Sequence, residues 1–177
     1  NGNFNFMGVN APLAVTFQFT AGQRANVTNS GGANYTLTLT LQPNQANPVL
    51  MNSPAVATIT SQANGLMFVD RTSDYIHSIT PGDTHADFSA LTHVQVNGTC
   101  NAFFNGSSIN FYPAGGGCVN TAYSTVVSHE FGHWMNVNYG TGNGPDGMGE
   151  GNSDVWANYI YDTNIIGQDF CGNNCNI

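Results

Sequence analysis

The chain is predicted to fold as an α+β protein: a twisted, mainly antiparallel sheet, then an edge-strand hairpin, then a pair of helices around one site. Three observations predict this. Residues 35–41 alternate Tyr or Leu with Thr, the period of a half-buried strand. Residues 63–79 change to a helical period, with Leu66, Val69, Ile76 and Ile79 on one face beside Phe68 and Tyr75. Residues 121–138 repeat that period, with Val126, Val127, Phe131, Trp134 and Met135 as the apolar stripe.

The remaining elements follow in order. Residues 14–19 alternate as a strand, and residues 29–34 carry turn chemistry. Residues 42–54 contain Pro43, Pro48 and Pro54, so they are predicted as loop or edge. Residues 56–60 are largely β-branched and are predicted as another short strand. The helix over 63–79 ends before Pro81-Gly82 and is expected to pack behind the later helix. Residues 91–96 form a strand leading into the Asn97-Gly98 turn, and residues 101–112 form a hairpin about Asn105-Gly106. Asn120 or Thr121 is expected to cap the helix over 121–138, after the breaker run Gly115-Gly116-Gly117. A further short helix starts near Met148. Residues 1–177 are expected as a single domain, 1–62 rich in sheet and 63–177 carrying the helices, the hairpin and the site.

Composition excludes several function classes. Only 7% of residues are charged, and the net charge is −8 at pH 7. Both basic residues are arginines, Arg24 and Arg71. That balance argues against nucleic acid, which requires a basic footprint, and against anionic membrane surfaces. No apolar run approaches the ~18 residues of a membrane span. The sequence opens at Asn1 without a signal peptide, which reads as a mature, processed product. Four cysteines fit two disulfides and an oxidising, extracellular compartment. Of the three connectivities, Cys100–Cys118 and Cys171–Cys175 are favoured: the first clamps both ends of the hairpin block. Sequons at Asn26, Asn34, Asn97 and Asn105 permit glycosylation in a eukaryotic source.

The chemistry concentrates between His129 and Asp154. His129 and His133 in HEFGH are four apart, so on a helix they share a face and can take neighbouring corners of a zinc tetrahedron. Glu130 then lies beside the metal rather than on it, placed to take a proton from water. Glu150 and Asp154 in GMGEGNSD are again four apart on a helix. If Glu150 is the third ligand, Asp154 falls one turn on and can accept a hydrogen bond from a ligand imidazole. His77, His85 and His93 lie outside this pattern and are expected to be structural.

HEFGH followed by an ExxxD acidic pair resembles the gluzincin zinc metalloendopeptidases, and GMGEGNSD is similar to the fungalysins, where that glutamate binds zinc. Residues 101–107, NAFFNGS, with residues 109–112, resemble the edge-strand block of the thermolysin-like enzymes. The three blocks keep the family's order over residues 93–160. The resemblance implies a zincin-like N-terminal lobe. It implies zinc on His129, His133 and Glu150, with Asp154 bonded to His129, and Asn101 and Ala102 holding the substrate backbone. It also implies a helical second lobe that supplies a histidine or tyrosine to the reaction. No histidine follows His133, and Tyr139, Tyr159 and Tyr161 do not align to that role. The residue for that role is therefore expected to be either missing or on another polypeptide, as in a nicked enzyme, a fragment or a shortened family member. Pro113 to Gly117 stands where the family has acidic calcium ligands.

These readings point to a secreted zinc-dependent endopeptidase. A polypeptide substrate would lie extended along Asn101, Ala102 and Phe103 as an added strand, with Glu130 as general base. The competing reading is a non-catalytic extracellular structural or adhesive protein that keeps the zinc fold, motivated by low charge and an asparagine-rich surface. Intact Glu130 argues against it, because a structural zinc site has no use for that carboxylate.

Overall fold

A computed structural model describes residues 4–145, 147–172 and 175. The fold is α+β, with two sheets and three helices among these residues. The first sheet is a two-stranded antiparallel ribbon of β1 (Leu13–Gln18) and β3 (Thr36–Leu41), in register from Leu13 opposite Leu41 to Gln18 opposite Thr36. Its strands alternate half-buried and exposed residues, as the Leu–Thr alternation predicts.

The second sheet has the order β2-β4-β6-β5, with β2 (Ala25–Asn29), β4 (Ala90–Val94), β5 (Ala102–Phe104) and β6 (Ile109–Phe111). It is mixed, which corrects the expected mainly antiparallel sheet. β2 and β4 are parallel, β4 and β6 are parallel, and only β5 and β6 are antiparallel. The physical cause is the connection. The chain leaves β2, forms β3 and helix α1 (Ala57–Ile79), and returns to the same end of the sheet, so β4 must run parallel to β2. Sequence reading also missed β2, whose short apolar signal is only Ala25 and Val27 between asparagines and threonines.

Helix α1 begins at Ala57, so the strand expected over 56–60 is instead the first turn of this helix. The β-branched residues there favour extended structure locally. Asn52 overrides them: its Oδ1 accepts the Val56 N–H at 2.6 Å, and its Nδ2 donates to the Thr60 hydroxyl at 2.7 Å. Burial of Ser61, Gln62, Gly65 and Val69 on the same helix face then fixes the register.

Helix α2 (Ser124–Asn138) and helix α3 (Met148–Tyr161) complete the fold. α2 starts later than expected, because its N-cap is Tyr123, which makes no side-chain capping bond. Thr121 serves the sheet instead: its hydroxyl bonds the Tyr112 N–H at 2.8 Å and the Asn101 carbonyl at 3.0 Å. One core joins sheet and helices, with Val27, Val94, Ile109 and Phe111 meeting Val69 and Ile76 of α1 and Val127, Phe131 and Met135 of α2. α1 lies behind α2, tied to it by the buried Thr72–Ser128 hydroxyl pair at 2.7 Å.

Cys100 is bonded to Cys118 and Cys171 to Cys175. The first bridge brackets the β5–β6 hairpin and holds its ends just before α2. Among the described residues, no helix is long and apolar enough to cross a membrane.

Candidate functional site

The middle of α2 presents His129 and His133 on one face, their rings 4.8 Å apart and nearly perpendicular. α3 packs closely across that face, because Gly132 offers no side chain. A Cβ there would lie 2.8 Å from the Ser153 Cα and 2.9 Å from the Trp156 ring. This contact brings the first turn of α3 over the histidines. Glu150 Oε2 sits 3.2 Å from His129 Nε2 and 3.3 Å from His133 Nε2. One ligand atom from each of these three residues falls within 4.8 Å of the others, as a metal ion requires.

The outer ring nitrogens are held by oxygen acceptors. His129 Nδ1 lies 2.8 Å from Asp154 Oδ1, and His133 Nδ1 lies 3.0 Å from Asn143 Oδ1. With its proton on Nδ1, each ring turns its Nε2 lone pair inward, toward Glu150. Two lone pairs and a carboxylate oxygen then converge without a donor between them. A bound cation would satisfy all three donor atoms at once. Burial of His129, and then the neighbouring His133, lower its pKa, with Asp154 and Glu150 pulling the other way. The donor set of two imidazoles and one carboxylate fits zinc.

Glu130 points from the same helix into the space beside the cluster. It is 5% exposed. Burial, then the Glu150 charge, push its carboxyl up to about 8, while a hydrogen bond from the Phe104 backbone N–H opposes them. Its Oε2 is buried and has no hydrogen-bond partner. An orphaned carboxylate oxygen inside a cleft marks a group that serves something other than the fold.

The cleft holds about 580 Å³. β5 forms one wall and is the free edge of its sheet. The bond from Phe104 N–H to Glu130 shows which backbone groups face the cleft. By strand alternation the N–H and C=O of Ala102 face the same open side, and those of Phe103 face β6. Asn101 and Phe103 also line this wall, Phe103 with its ring set edge-on to Tyr112. Val126, Ile166 and Phe170 give the cleft an apolar part of its lining.

The structure thus brings together every residue singled out between His129 and Asp154, with the 101–103 wall facing them. His77 and His85 lie elsewhere, on Asp87 and Asp83. Sequence reading missed Asn143, Ile166 and Phe170. Asn143 stands in a glycine- and asparagine-rich loop with no period to mark it, and the other two reach the cleft only through the packing of the segment after α3.

No family model matches the chain, and no curated protein sequence matches it. Among solved structures, it is similar to the precursor of protealysin, a metalloproteinase from Serratia proteamaculans. The match has a TM-score of 0.53 at 14% identity and covers 81% of this chain. This chain spans 45% of the length of that protein, and what the two share is the fold.

Proposed function

We propose that this chain is a zinc-dependent endopeptidase, or the zinc-binding part of one, acting on extended polypeptides outside the cell. The observation that carries the reading is Glu130: a buried carboxylate, one oxygen without a partner, beside two imidazoles and Glu150 whose donor atoms converge. A structural metal site would have no use for it.

His129, His133 and Glu150 would hold the metal. When bound, zinc supplies Lewis acidity, which acidifies water and polarises a carbonyl. The rest falls to the chain's own residues. The exposed β5 edge takes the substrate backbone as an added strand through the Ala102 N–H and C=O, which sets the scissile bond across the cleft. Glu130 takes a proton from the attacking water and returns it to the leaving amine nitrogen. The C–N bond breaks, and the products are a carboxylate and an amine. Asp154 holds the His129 ring with Nε2 toward Glu150, where it would serve as a metal ligand. The two disulfides fit an oxidising compartment.

The test is Glu130→Gln, which keeps shape but cannot take a proton. Casein hydrolysis should fall by orders of magnitude while zinc content, measured by elemental analysis, stays at the parent level. Loss of zinc in this variant would make Glu130 a ligand. A parent protein that holds zinc but leaves casein intact, with or without a chelator, would favour the structural reading.

A further inference from the structure

His129 has the acidic partner expected of a metal-binding histidine. His133 has an amide instead, and the surrounding bonds define what that amide does. Asn136 is 3% exposed, and its Nδ2 lies 2.9 Å from the Gly149 backbone carbonyl. A carbonyl only accepts, so this atom must be the donor nitrogen. The same Nδ2 lies 2.9 Å from Asn143, so the Asn143 atom facing it is an acceptor, Oδ1. The other end of the Asn143 amide, Nδ2, then donates to the His133 backbone carbonyl at 3.0 Å. Two backbone carbonyls thus fix both amides, and they leave Asn143 Oδ1 as an acceptor 3.0 Å from His133 Nδ1.

The space for this arrangement comes from Gly149, the residue just before Glu150. A Cβ on Gly149 would lie 2.9 Å from the Asn143 Cα and 3.1 Å from its Oδ1. Any side chain there would press on the Asn143 backbone, which cannot yield as a flexible side-chain tip can. The loop is anchored from below, where Gly142 N–H and the Thr141 hydroxyl both bond the Asn136 carbonyl, at 2.9 and 3.1 Å.

We propose that Asn143 is the positioning residue of His133, fixing its Nδ1–H tautomer and ring angle, and that Gly149 is glycine to admit it. The loop between the helices then sets the metal geometry on one side, as Asp154 of α3 sets it on the other. The affinity arm of the test rests on the zinc reading, but the tautomer arm does not.

The experiment has two readouts. In the metal-free protein, nitrogen-15 NMR should find His133 as the Nδ1–H tautomer in the parent and in Asn143→Asp, which keeps an acceptor. In Asn143→Ala it should move toward Nε2–H. In a zinc titration against a competing chelator, Asn143→Ala should bind roughly 10–100-fold more weakly, and Asn143→Asp should recover most of that loss. Gly149→Ala should weaken zinc in the parent and add little to Asn143→Ala, the signature of one shared interaction. If Asn143→Ala keeps both tautomer and affinity, the proposal is wrong. It is equally wrong if Asp is as weak as Ala, since loop packing and not the acceptor would then matter. A parent that binds no zinc would overturn the metal reading, while the tautomer data would still decide this one. Should Asn143→Ala fail to fold, the Asn143→Asp and Gly149→Ala pair decides: parental behaviour in Gly149→Ala overturns the proposal.

Discussion

At the scale of single residues, burial tunes the α2 groups His129 and Glu130, while Glu150 and Asp154 of α3 stay open to solvent. Glu130 shows this most directly. Its carboxyl is raised from the usual carboxylate range to about 8, chiefly by burial and then by Glu150. In the metal-free chain the folded state therefore keeps a proton that the unfolded state releases near pH 4.5. At Glu130 the folded state holds more proton throughout that window, so this group's contribution to stability falls as pH rises from about 4.5 to about 8 and then levels off. Chemical denaturation of metal-free protein at pH 5 and pH 8 should show the parent losing a few kcal/mol more than Glu130→Gln, which has no proton to lose. Equal losses in the two proteins would mean that Glu130 is ionised in the folded state across the whole range. The histidine pair and both acidic partners were legible in the sequence at this scale, because a helix converts a spacing of four into a shared face. Asn143 was not, because a loop has no period to convert.

At the scale of elements, the His129, His133 and Glu150 cluster is an interface property. Glu150 and the Asp154 that bonds His129 belong to α3 and the histidines to α2, so their separation depends on how closely the helices pack. Gly132 sets that distance, with the Ser153 Cα only 2.8 Å from where a Cβ would stand. Gly132→Ala should push α3 outward, costing about 1–3 kcal/mol as overpacking does. Glu150 and Asp154 move with the helix, so zinc affinity should fall alongside the melting temperature, measured by calorimetry and by chelator competition. Unchanged affinity with a lowered melting temperature would show that the two helices are not coupled at the site. Helical periods located α1 and α2, and the Asn105-Gly106 turn located the β5–β6 hairpin, since each rests on local chemistry. The strand order was not legible. It depends on where a returning chain docks, and the turn of helix over residues 57–60 depends on one side chain, Asn52, outside the segment itself.

At the scale of the whole molecule, the fold places an open strand edge, an apolar part of the lining and the convergent donors in one cleft, within a chain of net charge −8. β5 must keep its backbone groups uncovered if a peptide is to pair with them, so it cannot use the usual defences of an edge strand, such as proline, lysine or a bulge. An edge that welcomes one extended chain can welcome another copy of itself. At a net charge of −8 copies repel one another, and that repulsion vanishes near the isoelectric point of about 4.5. Light scattering should therefore show self-association as pH falls toward that value, reduced by an added extended peptide that occupies β5 and by Ala102→Pro, which removes an edge donor. Association indifferent to both would place the sticky surface elsewhere. The feature that would let the protein read a substrate backbone is thus also a colloidal weakness, one that its acidity masks only away from acid conditions.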